Sequence, residues 1–264
     1  MKTKLKLIIV IFFTAQLTTA QTFFTEDFNS YSTGPLNTVY DDTTPGKGGW
    51  LVSRSTSGTS SIITGMVTPE TGKGNILTIA TTSKTIEGFG FKQERGFLAT
   101  LWNNRTPGNN IFKFEFYGRG TFNFSGQIQS DSQKHVYKGF IATYFQSNYY
   151  YCILGSYLES AGSNWKSLVL ENYNVTTFPY NMWIKAEMFV DFNNNNVYFY
   201  IPTLNTQVTA PFSHNELPFN LAFYVGSMKT SSIVKIDNIK VSGLKTLPSY
   251  ILSVNQQLAT KFNL

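Results

Sequence analysis

The chain has 264 residues, 42% apolar and 16% aromatic, but only 14% charged. That charged fraction is well below the usual quarter, so the surface is carried by Thr, Ser, Asn and Gln. The 23 Phe and 15 Tyr exclude a disordered chain. The formal charge of +6 shows no basic stripe of the kind a nucleic-acid binder carries. Three of the lysines, Lys2, Lys4 and Lys6, lie in an N-terminal address segment.

Those lysines precede an unbroken apolar run from Leu7 to Phe13, and Thr18-Thr19-Ala20 supplies small residues for cleavage before Gln21. This layout predicts a secretory signal peptide over 1–20 and an exported protein. The apolar run is shorter than the roughly 20 residues that span a bilayer. Cys152 is the only cysteine, so export brings no internal disulfide; it sits in a strand-like run and reads as a buried structural thiol.

Period-two alternation recurs from there on, bounded by Gly, Asn, Ser and Pro. Phe112, Phe114 and Phe116 alternate with Lys113, Glu115 and Tyr117. Ile184, Ala186, Met188 and Val190 alternate with Lys185, Glu187 and Phe189, which predicts that the first set is buried and Lys185 and Glu187 are not. Val197, Phe199 and Ile201 follow in the same style. The Asp191–Asn196 run between them is rich in asparagine, which tolerates left-handed backbone, and reads as a hairpin turn. Further strands fit 139–145, 149–157, 167–171, 221–227 and 233–242. Helical signals are nearly absent. The expected architecture is an all-β, two-sheet antiparallel sandwich forming one domain over 21–244. Two long loops, 31–49 and 101–110, are candidates for function, and 245–264 reads as a tail or linker.

Two motifs carry a resemblance. The segment Trp183-Ile-Lys-Ala-Glu-Met-Phe-Val-Asp191 with the strand after it resembles the central hairpin of concanavalin A-like, laminin-G-like jelly rolls. Glu26-Asp27-Phe28-Asn29 and Ile236-Asp237-Asn238-Ile239-Lys240-Val241 are similar to the first and last strands of carbohydrate-binding modules of that architecture. The resemblance implies a structural Ca²⁺ held by Glu26 or Asp27 with Asp237, and Asp41-Asp42 as a further contributor; calcium takes several hard oxygen ligands. The superfamily holds binders, adhesins, hydrolases and lyases, so it leaves activity open. The tail from Leu252 to Leu264 resembles the linker into the C-terminal sorting domain of the type IX secretion system of Bacteroidetes. That likeness implies a secreted or surface-attached bacterial protein, truncated before its sorting domain.

Sugars stack their apolar faces on exposed aromatics while polar side chains take the hydroxyls. Trp102 and Arg105, in Leu-Trp-Asn-Asn-Arg-Thr-Pro-Gly, and Trp165, in Gly-Ser-Asn-Trp-Lys, are flanked by turn formers and polar residues. Tyr144, Tyr149 and Tyr151 lie on central strands. These six are the candidate glycan contacts, with core or rim packing as the alternative for each. Catalytic signatures are weak: the chain has no Glu-x-Asp-x-x-Glu string, and Glu187 and Asp191 stand about 13 Å apart on a regular strand, too far for a carboxylate pair. Gln127-Ile128-Gln129 lacks the His of a Gln-Ile-His lyase motif. The sequence therefore favours a secreted, non-catalytic module that binds a glycan or cell-surface polymer. A polysaccharide-degrading enzyme and a structural display domain are the alternatives.

Overall fold

The computed structural model describes residues 20–56, 63–81, 87–120, 124–130, 136–146, 149–158, 165–174, 182–212, 217–227, 232–253 and 260–262. Residues 1–19, within the stretch expected to be a signal peptide, both histidines and most of the segment beyond 253 lie outside the described residues.

The elements in chain order begin with strands β1 (Gln21–Glu26), β2 (Gly34–Pro35), β3 (Leu51–Thr56), β4 (Ile63–Glu70), β5 (Gly74–Thr81) and β6 (Glu87–Lys92). Helix α1 (Phe97–Asn103) leads to β7 (Ile111–Gly120), β8 (Phe124–Gln129), β9 (Val136–Gln146), β10 (Tyr149–Leu158) and β11 (Trp165–Asn174). Then come β12 (Ile184–Asp191), β13 (Asn196–Ile201), β14 (Thr206–Pro211), β15 (Asn220–Ser227), β16 (Ser232–Leu244), α2 (Ser249–Ser253) and β17 (Thr260–Phe262). They form two antiparallel sheets. Sheet A runs β14-β13-β12-β7-β16-β5-β4-β2, with β1 also on β16; sheet B runs β17-β11-β10-β9-β8-β15-β6-β3. The chain crosses between the sheets repeatedly, and the result is the expected jelly-roll sandwich.

Alternation decides what lies between the sheets. Phe112, Phe114 and Phe116 of β7 are each 1% exposed, and Phe114 and Phe116 meet Phe223 of β15 from sheet B at centroid distances of 5.7 and 5.4 Å. Phe91 and Phe223 stack with centroids 4.7 Å apart. Each ring taken from water contributes about 1.5–3 kcal/mol. Gly126 of β8 makes room for them, because a Cβ there would stand 2.7 Å from both Phe114 and Phe116.

The β12–β13 hairpin forms as its sequence predicts. The Asp191 carboxylate accepts the backbone N–H groups of Asn193 and Asn194 at 2.9 and 3.2 Å, and Asn195 takes a left-handed φ of 52°. Ile184, Ala186, Met188 and Val190 are buried as expected. Glu187 departs from expectation: it is only 5% exposed. The register is right, but the outer face of sheet A is covered at this point. The chain beyond Leu244 folds back as α2 instead of leaving, and Tyr250 donates to Glu187 Oε2 at 2.9 Å. Ile251 is buried beside Ile111, Phe189, Tyr200 and Leu244 in a second, smaller apolar cluster.

Both long loops are also more ordered than their composition suggests. In 31–49, Asp42 N–H donates to Val52 O at 3.1 Å, and Asp41 pairs with Ser53 as an isolated bridge. In the second, α1 occupies the first three positions. It packs two i,i+4 pairs, Phe97–Leu101 and Leu98–Trp102, against the core, but it is only seven residues long and has no side-chain N-cap, which is why no helix is evident in the sequence. No helix among the described residues is long and apolar enough to cross a membrane, which says nothing of β-barrel spans.

Candidate functional site

Trp102 is a core residue. It is 1% exposed, with Phe23, Phe112 and Phe192 around it at centroid distances of 6.1, 5.6 and 5.6 Å. Arg105 lies over its ring at 4.6 Å and donates to the Trp102 carbonyl at 3.1 Å. The ring that sequence reasoning assigned to a sugar is thus engaged by protein, and Arg105 serves it. The flanking polar residues misled because the side chain points back under α1 into the sandwich.

Tyr144, Tyr149, Tyr151 and Trp165 lie on strands of sheet B. In backbone register Tyr151 stands opposite Tyr144, Tyr149 opposite Gln146, and Trp165 opposite Leu158. Their side chains, with that of Cys152, lie outside the described residues.

The residues implied for calcium are each engaged with protein. Glu26 Oε1 accepts the Phe28 N–H at 2.7 Å, and Oε2 accepts the Tyr31 hydroxyl and the Trp50 indole N–H, the latter at 3.2 Å. Burial, with the Glu26 carboxylate, pushes the Tyr31 hydroxyl far above its ordinary pKa. Asp27 Oδ1 accepts the Asn29 N–H at 3.0 Å. Asp237, 1% exposed, pairs with Lys73 at 3.3 Å and accepts both the backbone and side-chain N–H of Asn238. Burial raises the Asp237 carboxyl, Lys73 and Asn238 pull it back, and Asp27 lies near enough to add to the rise. Lys73 in turn rests over the rings of Tyr117 and Trp183 at 4.5 and 4.6 Å. As placed, this set does not fit the oxygen-rich shell calcium requires, and the cation facing Asp237 is an ammonium. Asp41 is held by Thr43 and Thr44, whose hydrogen bonds keep its carboxyl well below the ordinary range, and Asp42 pairs with Lys92 at 2.5 Å.

The outer faces of the two sheets differ in kind. On sheet A, Lys113 of β7 and Lys185 of β12 share the carboxylates of Glu115 and Glu187, which stand opposite each other in register. Lys113–Glu187, Lys185–Glu115 and Lys185–Glu187 measure 2.9, 3.0 and 2.7 Å, and Lys113 also pairs with Glu115. Burial would push the Glu115 carboxyl up, but the two ammonium groups outweigh it and hold it well below the ordinary value. Two carboxylates facing each other in register suggest a hydrolytic pair, yet a general acid needs a raised pKa and that of Glu115 is lowered.

On sheet B the outer face carries an exposed aromatic over glycine. Phe223 and Val225 of β15 point inward, so Tyr224 between them points out, and it is 41% exposed. Its register partner on β6 is Gly90, itself opposite Ser53 of β3. A Cβ on Gly90 would stand 3.0 Å from Tyr224 Cε1 and 2.9 Å from Ser53 Oγ. The ring therefore lies down on the strand, with the serine hydroxyl at its edge. Gly88 of β6 extends the low floor, opposite Ser55 and Gly226. Lys92, two residues along β6 from Gly90, and Asp42 from the pinned loop form the half-exposed ion pair of this region. Among the described residues neither the Tyr224 nor the Ser53 hydroxyl has a hydrogen-bond partner. The arrangement offers a flat apolar surface bordered by hydroxyl, ammonium and carboxylate groups. Sequence reasoning passed over Tyr224, although Gly88-Phe-Gly-Phe91 and Phe223-Tyr-Val225 mark the outward glycines and tyrosine.

No family model matches the sequence, and no curated protein matches it. Among solved structures, the chain is similar to a sialidase, with TM-score 0.47 and 9% identity over 84% of this chain, and it spans 18% of the sialidase's length. It is similar to the CBM2 module of the evolved Dit of Lactobacillus casei BL23 phage J-1, with TM-score 0.48 and 12% identity over 87% of this chain and 98% of that one. A lectin, UEA-II complexed with galactose, gives TM-score 0.45 and 8% identity over 77% and 96% of the two chains. At these scores and identities the likenesses carry no statement of what this chain binds.

Proposed function

We propose that the protein is a non-catalytic β-sandwich module that binds a glycan on the outer face of sheet B, with Tyr224 as the stacking surface. The observation that carries this reading is the Tyr224 ring laid over Gly90, exposed on a face whose neighbouring strands β6 and β3 leave it uncovered. Sugars need an accessible apolar face with hydroxyl and charged groups beside it, and Ser53, Lys92 and Asp42 provide them. Binding is favoured over hydrolysis because Glu115 and Glu187, the carboxylates that face each other on sheet A, are each held in ion pairs with Lys113 and Lys185. We read the chain as exported, from the Lys2–Ala20 pattern, and as acting at a bacterial cell surface, from the likeness of its tail to a type IX sorting linker. Its role there is adhesion or polysaccharide capture.

Native affinity electrophoresis through gels carrying different polysaccharides tests the reading. The expected result is retardation in at least one gel that Tyr224→Ala abolishes and Tyr224→Phe keeps. Retardation unchanged by Tyr224→Ala, or none in any gel, contradicts it.

A further inference from the structure

The C-terminal segment does more than cover sheet A: between it and the sheet lies a cavity of about 430 Å³. That volume falls within the range of small-molecule sites. Its floor is Lys113 and Glu115 of β7 with Lys240, Ser242 and Leu244 of β16, and its wall is the stretch from Thr246 to Ser249; Ala20, the last residue of the expected signal peptide, borders it and leaves it wider after cleavage. The site is distinct from the Tyr224 face, which belongs to the other sheet.

The charges here do not cancel. Lys113 and Lys185 are matched by Glu115 and Glu187. Lys240 stands opposite Glu115 in register, but Glu115 is drawn to the other two lysines, and among the described residues Lys240 has no ion pair. One positive charge is left over at the cavity. Ser242 lines it while only 2% exposed, and among the described residues its hydroxyl has no hydrogen-bond partner. Thr246 and Ser249 add hydroxyls from the opposite wall, and Leu244, Leu247 and Pro248 supply apolar surface.

We propose that this cavity binds a small hydroxylated monocarboxylate of the uronic-acid type, its carboxylate on Lys240, its hydroxyls on Ser242, Thr246 and Ser249, and its apolar face on Leu247 and Pro248. The unmatched ammonium selects a single negative charge, and the hydroxyls with the apolar wall select a sugar acid over a simple carboxylate. The ligand is either a free monosaccharide or the end of an acidic glycan chain, since both present the same group.

Isothermal titration of the protein with glucuronate, glucose, acetate and an oligogalacturonide tests the proposal. Saturable glucuronate binding is expected, at least about tenfold weaker for glucose and for acetate, and at least about tenfold weaker in Lys240→Met. Tyr224→Ala should leave it unchanged, which separates this site from the glycan-binding face. Preference for the oligogalacturonide identifies a chain end as the natural occupant, and preference for glucuronate a free sugar acid. Absence of saturable glucuronate binding, equal affinity for acetate, or full affinity in a Lys240→Met protein of unchanged melting temperature overturns the proposal. Ser242→Ala, which keeps the cavity open, gives a second check: it should weaken glucuronate and leave acetate unaffected.

Discussion

Tyr224 and Gly90 form one unit, because the ring lies where a side chain on Gly90 would be. Gly90→Ala places a methyl 3.0 Å from the ring and 2.9 Å from Ser53 Oγ, so the ring must lift. Glycan retardation in affinity gels should weaken although the tyrosine is still present. Trp102 gives the opposite test. Trp102→Ala removes a large side chain from the core and should cost about 3–5 kcal/mol in denaturant unfolding. The same contrast shows what was legible in the sequence. Alternation around Phe223 and Val225 is enough to turn Tyr224 outward, but its meeting with Gly90 depends on the pairing of β15 with β6, more than a hundred residues apart in the chain. Trp102 looked exposed because Asn, Thr, Pro and Gly follow it, and local composition does not show that a short helix turns it inward. For Tyr144, Tyr149, Tyr151 and Trp165, neighbourhood on sheet B is established by register alone.

At the scale of elements, the strand β12 shows how a correct period can yield a wrong exposure. Its inward residues are buried as alternation predicts, while Glu187 is buried because α2 closes over the outer face. That docking was not legible in the sequence, where the segment after Leu244 has the composition of a tail. Two pH effects follow. The Glu115 carboxyl is lowered from an ordinary 4.5, so its stabilising contribution is complete above that value and is lost as pH falls below it. Melting temperature should therefore drop on acidification below pH 4.5, and less steeply in Glu115→Gln. Burial and the Glu187 carboxylate raise the Tyr250 hydroxyl above its ordinary 10.0, so its contribution persists below that pH and is lost above it. Tyr250→Phe removes the hydrogen bond to Glu187 and should cost about 1 kcal/mol, measured by denaturant titration at neutral pH.

For the whole molecule, aromatic alternation without helical periodicity was sufficient for an all-β sandwich, since a strand with one apolar face must bury it against a second sheet. The order of strands within each sheet was not, because neighbours such as β7 and β16 are brought together only by the closed fold. The same closure brings Lys73 to Asp237, so the buried carboxylate meets an ammonium between Tyr117 and Trp183. Thermal melts with and without a chelator should coincide, whereas Lys73→Met should destabilise the protein by about 1–3 kcal/mol. A melting temperature raised by calcium would contradict that account of the Asp237 region.

The Tyr224 face is the centre of the proposed glycan site. Its most direct test is an NMR titration of the protein with an oligosaccharide from the retarding polysaccharide, following the Tyr224 ring protons assigned by comparison with Tyr224→Phe. The expected result is a saturable upfield shift of those protons, with transferred effects to the Gly88–Gly90 amides. Saturable binding that leaves the Tyr224 ring and these amides unperturbed would contradict the assignment of the glycan site to sheet B.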